Sequence, residues 1–187
     1  QPEIIERLQS GDGLAFSEIV NRWKDMVFNT VLGIVQNAED AEDITQEVFV
    51  QVYESISKFR QEAKLSTWIY RIAISKALDF EKKKKRLKHG GLLKRIFDSN
   101  AADEVVHFDH PGILLDKKQH AAALFAAVKK LPKKQRVAFL LHKLETLSYH
   151  EIAEIMNTSV MAVESLQVRA RNSLRKILAE YYKNEIQ

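Results

Sequence analysis

Three stretches of the chain carry side chains that could do chemistry. In DAEDITQEVF, Asp40, Asp43, Gln46 and Glu47 recur at three- and four-residue spacing, which places them together on one face of a helix. Such a face repels phosphate and attracts a basic protein. It could in principle gather Mg²⁺, but acids on a single helix lack the convergent ligands from a second element that a hard cation requires. In SKFRQEAKLSTWIYRIA, Phe59, Trp68 and Tyr70 surround a loop from Gln61 to Leu65, and Lys82, Lys83, Lys84, Lys85 and Arg86 follow on the same predicted helix. Aromatic rings beside a cationic track suit single-stranded nucleic acid, whose unstacked bases lie on rings or enter a pocket while lysines hold the backbone. Helical spacing also fits ordinary core packing; it favours core for Trp68 and leaves Tyr70 open between the two.

The third stretch is the strongest local motif. Ser148 and Glu151 have the spacing of a capping box, opening a short helix with Ile152, Ala153 and Ile155 inward. Asn157 to Ser159 turns the chain, and a long helix runs from Val160 past Leu178, with Val163, Ala170 and Leu174 inward and Arg169, Arg171, Arg175 and Lys176 outward. This matches a helix-turn-helix, in which a helix enters the major groove and its arginines neutralise phosphates. The competing reading is two packed helices with a solvated charged face; capping, turn and one-sided basicity together favour DNA.

Enzyme chemistry finds little support. His150 and Glu151 begin HEIAE, where Glu154 stands in place of the second histidine of a zinc-protease motif. His107 and His110 have ligand spacing without a second pair. No phosphate-cradling glycine loop or nucleophile elbow occurs. With no cysteine in the chain, disulfides, thiolate zinc sites and cysteine nucleophiles are excluded. The expectation is a non-enzymatic protein with no cofactor and no metal.

The elements that position these residues are helical. Asp12 can cap a helix with Phe16, Ile19, Val20, Trp23, Val27, Val31 and Ile34 on its apolar side, and Asn37 a second with Ala41, Ile44, Val48, Val52, Ile56 and Phe59. A third starts near Ser66 or Thr67 and carries Trp68, Ile69, Ile72, Ala73 and Phe80 into the lysine run. From about His89 to Asp116 periodicity fails around Gly90, Gly91, Pro111 and Gly112, which reads as a flexible linker with room for a short helix at Leu92 to Phe97. Helical pattern resumes at Gln119: Leu124, Val128 and Leu131 form one stripe, and Pro132 suits a helix start. The fold class is therefore all-α, with two small helical domains.

Charge follows the same division. Residues 1–81 carry 8 Lys and Arg against 14 Asp and Glu, whereas residues 82–97 carry 8 against none, inside a chain of net charge +4. A basic run and a basic C-terminal unit beside an acidic N-terminal one imply nucleic acid plus a basic protein partner. No apolar run reaches the ~20 residues of a membrane span, so the chain reads as a soluble, cytoplasmic protein without membrane insertion.

The segments DAEDITQEVFVQVYESISKFR, STWIYRIAISKALDF and LPKKQRVAFLLHKLETLSYHEIAEIMNTSVMAVESLQVRARNSLRKIL resemble, in that order, regions 2 and 4 of bacterial ECF (extracytoplasmic function) sigma factors. The style of SVMAVESL resembles the Bacteroidetes type. The resemblance implies region 2 over 1–88, a linker over 89–118 and region 4 over 119–187. It implies a protein that binds core RNA polymerase, recognises −10 and −35 elements and initiates transcription; the alternative is a helix-turn-helix regulator that never joins the polymerase.

By the same resemblance, Asp40, Asp43, Gln46 and Glu47 meet the β′ clamp helices, while region 4 meets the β flap. Phe59, Lys64, Trp68, Tyr70, Arg71, Ser75, Lys76, Lys82 and Lys83 hold and melt the −10 element as single strand. Ser159, Met161, Ala162, Glu164, Ser165, Val168, Arg169 and Arg171 contact the −35 duplex. An anti-sigma factor is a further possible partner. Three positions depart from the family pattern: Ser75 stands where many relatives have Asn, Leu166 where Arg is common, and Gln167 where an apolar residue is usual. Leu166 is expected to pack beside Val163 and Ala170 in consequence.

Overall fold

A computed structural model describes residues 2–90 and 115–185. The expected short helix at Leu92 to Phe97, and His107 and His110, lie outside the described residues. Among those described there is no strand, and the helices run α1 Pro2–Gln9, α2 Gly13–Val35, α3 Ala38–Ser55, α4 Leu65–Gly90, α5 Leu115–Lys129, α6 Lys133–Lys143, α7 Tyr149–Met156 and α8 Val160–Glu185, with a single 3₁₀ turn at Ile56–Lys58.

Local chemistry sets the boundaries. Asp12 Oδ1 accepts from the backbone N–H groups of Leu14 (2.8 Å) and Ala15 (3.3 Å), satisfying orphan donors at the start of α2. The guanidinium of Arg7 beside Asp12 holds its carboxyl below the usual range, helped by those backbone bonds. Asn37 caps α3 by accepting from Asp40 N–H at 2.8 Å. Between them Gln36, at φ 57°, takes the left-handed conformation that ends α2 and turns the chain back. The helix α1 stands outside the elements that periodicity predicts; Gln9 Nε2 fastens it by donating to Ile56 O (3.1 Å) and Phe59 O (3.2 Å) on the 3₁₀ turn.

The α2, α3 and α4 helices pack as a bundle around Ile19, Val27, Val31, Ile44, Val48, Val52 and Ile69, each at most 2% exposed. Burying such a branched side chain stabilises by about 1.5–3 kcal/mol. The expected α3 stripe is buried throughout, ending with Ile56 and Phe59 beyond the helix proper. In the C-terminal half, Phe125, Val128, Leu131, Leu141, Ile152, Val163 and Leu174 form the corresponding core. Leu124 does not join the stripe expected of it: it is 36% exposed, and Ala123 and Phe125 on either side turn inward instead.

The two halves pack directly on each other, and their buried residues form one continuous cluster. Gly33 lies within α2, where glycine costs ~1 kcal/mol relative to alanine. A Cβ there would come within 2.9 Å of Leu144 Cδ1 and 3.4 Å of Leu140 Cδ2, so the missing side chain is the notch that receives α6.

Candidate nucleic-acid interface

The acidic face of α3 splits in two. Asp43 and Gln46 are exposed. Asp40 and Glu47 instead lean toward α4: Lys84 Nζ lies 2.8 Å from Asp40 Oδ2, and Lys76 Nζ lies 3.3 Å from Glu47 Oε2. The helix dipole accounts for the acids of the first turn, and the α4 lysines account for the placement of Asp40 and Glu47. Val50 and Tyr53 continue the exposed face as large apolar residues, 56% and 51% exposed; no spacing in the sequence marks them, because they interrupt no pattern.

The candidate −10 residues do not form one continuous surface. Phe59 is buried, and Trp68, partly buried, lies over it with ring centroids 5.0 Å apart. Trp68, Ser75, Lys76 and Lys83 line a groove of about 620 Å³ between α3 and α4, which Glu47 and Ile44 also border. This groove carries rings, hydroxyl and ammonium groups suited to an extruded base and its phosphates. Ser75 is exposed there. Lys82 and Lys83 are exposed, with Lys82 Nζ held 2.7 Å from Asp79 Oδ1.

Tyr70 and Arg71 both bond to the C-terminal half. Tyr70 is 6% exposed, and its hydroxyl donates to Glu145 Oε2 at 3.1 Å, in the loop between α6 and α7. Burial, reinforced by the Glu145 charge, pushes the phenol well above its ordinary range; burial likewise raises the Glu145 carboxyl. Arg71 donates to Glu154 O (2.6 Å) and Ile155 O (3.3 Å), carbonyls near the end of α7. The C-terminal half thus covers Tyr70, whereas Arg71, though bonded to α7, remains exposed. Lys64 and Arg71 border a second cleft, about 770 Å³, whose far wall is Asn157, Thr158, Ser159 and Val160 of the helix-turn-helix turn.

The helix-turn-helix itself is built as the sequence implies. Ser148 N–H donates to Glu151 Oε2 (3.0 Å) and Glu151 N–H donates to Ser148 Oγ (3.3 Å), closing the capping box at the start of α7. Asn157 turns left-handed at φ 49° to end α7, and Ser159 Oγ accepts from Ala162 N–H at 3.2 Å to start α8. Met161, Glu164, Val168, Arg169 and Arg171 are exposed along α8, and Ala162 and Ser165 partly so. Two apolar residues in solvent at the front of a basic helix, Met161 at 79% and Val168 at 47%, are suited to thymine methyl groups. Arg169 donates to Ser165 Oγ at 2.9 Å and Arg171 to Gln167 O at 3.3 Å, so both guanidinium groups lie along the helix.

Gln167, rather than Leu166, sits between Val163 and Ala170 in the buried stripe. It is 1% exposed and donates to Ala138 O on α6 at 2.7 Å, while Leu166 stays partly buried at the core margin. The physical reason is register: positions 163, 167, 170 and 174 share one helical face, and a buried amide is tolerated because it has a backbone acceptor. Among the described residues no group of three or more His, Cys, Asp or Glu is placed to hold a metal ion, and no helix is long and apolar enough to cross a membrane.

Comparison with known proteins matches both halves. Residues 19–87 fit the family model of Sigma-70 region 2, and residues 121–174 fit that of Sigma-70, region 4. The chain is 31% identical over 186 positions to the RNA polymerase sigma-H factor of Pseudomonas aeruginosa, covering 94% of this chain and 92% of the relative. It is 32% identical over 182 positions to the ECF RNA polymerase sigma factor SigW of Bacillus subtilis, covering 94% and 95%. Among solved structures, CnrH in complex with the cytosolic domain of CnrY is similar in fold, with a TM-score of 0.67 at 20% identity over 95% of this chain and 96% of that one. The sigma factor RpoE in complex with the anti-sigma factor NepR from Bartonella quintana matches with a TM-score of 0.61 at 19% identity, over 88% and 96%.

Proposed function

The chain belongs to the ECF sigma factor family, and from that premise we propose how its surfaces divide the work of starting transcription. As a sigma factor it joins core RNA polymerase and directs it to promoters; relatives matched over nearly their whole length favour this over a regulator acting apart from the polymerase. Residues 1–88 act as the core-binding and −10 domain, 89–118 as the connection, and 119–187 as the −35 domain. The SVMAVESL segment supports placing the chain in the Bacteroidetes type.

The observation that carries the division is the pairing, in one chain, of an exposed Asp43 and Gln46 face on α3 with a capped helix-turn-helix whose α8 presents Arg169 and Arg171. The α3 face, with Asp40 and Glu47 at its edge, docks the β′ clamp helices by charge complementarity, which speeds and orients encounter. The C-terminal domain reaches the β flap. The groove holding Trp68, Ser75, Lys76 and Lys83 receives the melted −10 strand, where pocket and phosphate contacts offset the few kcal/mol lost per unstacked base. No cofactor or catalytic residue enters this scheme. The protein works in the cytoplasm, where the polymerase is.

Promoter selection with purified core enzyme plus this chain tests the reading. Initiation at a defined −35/−10 pair is expected; failure both to co-purify with core and to direct initiation would overturn it.

A further inference from the structure

We propose that α8 reads the −35 duplex through the methyl groups of thymine, with Met161 and Val168 as the reading side chains and no hydrogen-bonded reader of guanine or adenine. The −35 role rests on the sigma-factor reading; the choice of base follows from the chemistry that α8 exposes. Met161, Glu164, Ser165 and Val168 recur at three- and four-residue spacing, so they share one face of the helix, opposite the buried Val163, Gln167, Ala170 and Leu174. It is the N-terminal part of such a helix that reaches base edges in the major groove.

In that part the usual hydrogen-bonding readers are missing or engaged. Guanine is read by Arg or Lys and adenine by Asn or Gln, each through two bonds. From Val160 to Val168 there is no Arg, Lys or Asn, and the one Gln, Gln167, is 1% exposed and donates to Ala138 O at 2.7 Å. The first cation of α8, Arg169, lies back along the helix, donating to Ser165 O at 3.3 Å and Ser165 Oγ at 2.9 Å. Asn172, the first exposed amide on this face, stands a full turn beyond Val168. Glu164, exposed between Met161 and Val168, presents only acceptors, which repel the N7 and O6 acceptors of guanine and match the amino group of cytosine. What remains for contact is apolar. Met161 is 79% exposed and Val168 47%, and the thymine C5 methyl is the one methyl group that a standard base pair presents in the major groove. The unbranched thioether of Met161, with three rotatable bonds, can follow such a methyl into the groove.

Deoxyuridine isolates the contact, because it keeps the O4 acceptor and the pairing of thymidine and lacks only the methyl. The promoter selected with holoenzyme is rebuilt with each −35 thymine, on either strand, replaced in turn. Parent holoenzyme should bind at least one of these duplexes about fourfold more weakly, the fold-change of one methyl group returned to water. Holoenzyme carrying Met161→Ala or Val168→Ala should bind the selected promoter more weakly, and should no longer distinguish thymine from uracil at the position its missing side chain covered. Both positions are exposed and alanine favours helix, so these variants keep the fold. Replacing the −35 guanines by 7-deazaguanine, which lacks N7, should leave parent affinity unchanged. The proposal is overturned by the lack of any uracil-sensitive thymine, by a penalty that survives in the Met161→Ala, Val168→Ala double variant, or by a 7-deazaguanine loss larger than the uracil loss. If parent holoenzyme initiates at no promoter, the sigma-factor reading fails. Duplexes selected from random sequence by the full chain alone then replace the promoter, and the same substitutions decide for or against methyl reading; a chain that selects no duplex overturns it as well.

Discussion

The Lys76 ammonium on α4 reaches across to the Glu47 carboxylate on α3, 3.3 Å away, tying the proposed strand-binding groove to the proposed polymerase face. Lys84 and Asp40 repeat the link at 2.8 Å. Asp43 lies between them in sequence, exposed and outside both pairs. Asp43→Lys should therefore abolish capture of core polymerase while leaving the unfolding temperature of the chain where it was. Pull-down with core enzyme beside a thermal melt by circular dichroism checks both halves of the statement.

Glu47→Gln should behave differently from Asp43→Lys. It weakens the acidic face and also releases Lys76, whose side chain is one-third exposed. Solvent-screened pairs of this kind are worth under ~1 kcal/mol, so stability should barely move. Core affinity should fall less than for Asp43→Lys, and binding to single-stranded DNA should rise slightly. A loss of helical content in either variant would mean that these acids are structural.

The Ser148 and Glu151 capping box gives an acid-sensitive helix start. Bonds from the Ser148 N–H and hydroxyl hold the Glu151 carboxyl below its usual range. A lowered native pKa means stability that is present above the unfolded carboxylate pKa of about 4.3 and lost as pH falls through the lower native value. Ser148→Ala should cost about 1 kcal/mol at neutral pH. The penalty should shrink in acid, as read from denaturant midpoints at neutral and low pH.

The Tyr70 phenol gives the opposite sign. Its native pKa is raised, first by burial and then by Glu145, so its contribution is complete below the unfolded phenol pKa of about 10 and is lost as pH rises above it. Glu145, also raised by burial, adds a contribution that is complete below about pH 4.3 and lost as pH rises past its native value. The domain junction should therefore loosen on the alkaline side. Tyr70→Phe should remove the step above pH ~10, visible as domain separation in a chain carrying a fluorophore pair at Asn21→Cys and Ala179→Cys, the only cysteines it would then hold.

Arg169 and Arg171 should act on duplex DNA through charge. Arg169→Ala or Arg171→Ala should each weaken binding to −35 duplexes of any sequence, and each should reduce the slope of log affinity against log salt by about 1. A loss confined to one sequence, with the slope intact, would instead make that arginine a reader of bases.

Much of this is legible in residue order. Helix periodicity, Asp12 and Asn37 as caps, the α3 stripe and the Ser148 capping box all involve residues within a few positions of each other, where spacing alone determines which groups meet. The two domains, and the family they belong to, follow from such local signals occurring in the right order. The helix α1 is not legible in this way, because its stabilising bonds run from Gln9 to residues nearly fifty positions away. Spacing misplaces Leu124 because its neighbours Ala123 and Phe125 offer an alternative register that only packing resolves.

What sequence determined, then, is which helices form and what chemistry each carries; what tertiary structure decided is which of those side chains remain available. Tyr70 is equally suited by spacing to core or to a base; the seating of the C-terminal half against α4 buried it, while Arg71 bonds to α7 and stays exposed. Glu81 and Arg136, an ion pair buried between the domains, gave no local hint of each other, standing 55 residues apart. Helix formation depends on neighbours three and four positions away, whereas burial and ion pairing depend on which faces are brought together from a distance.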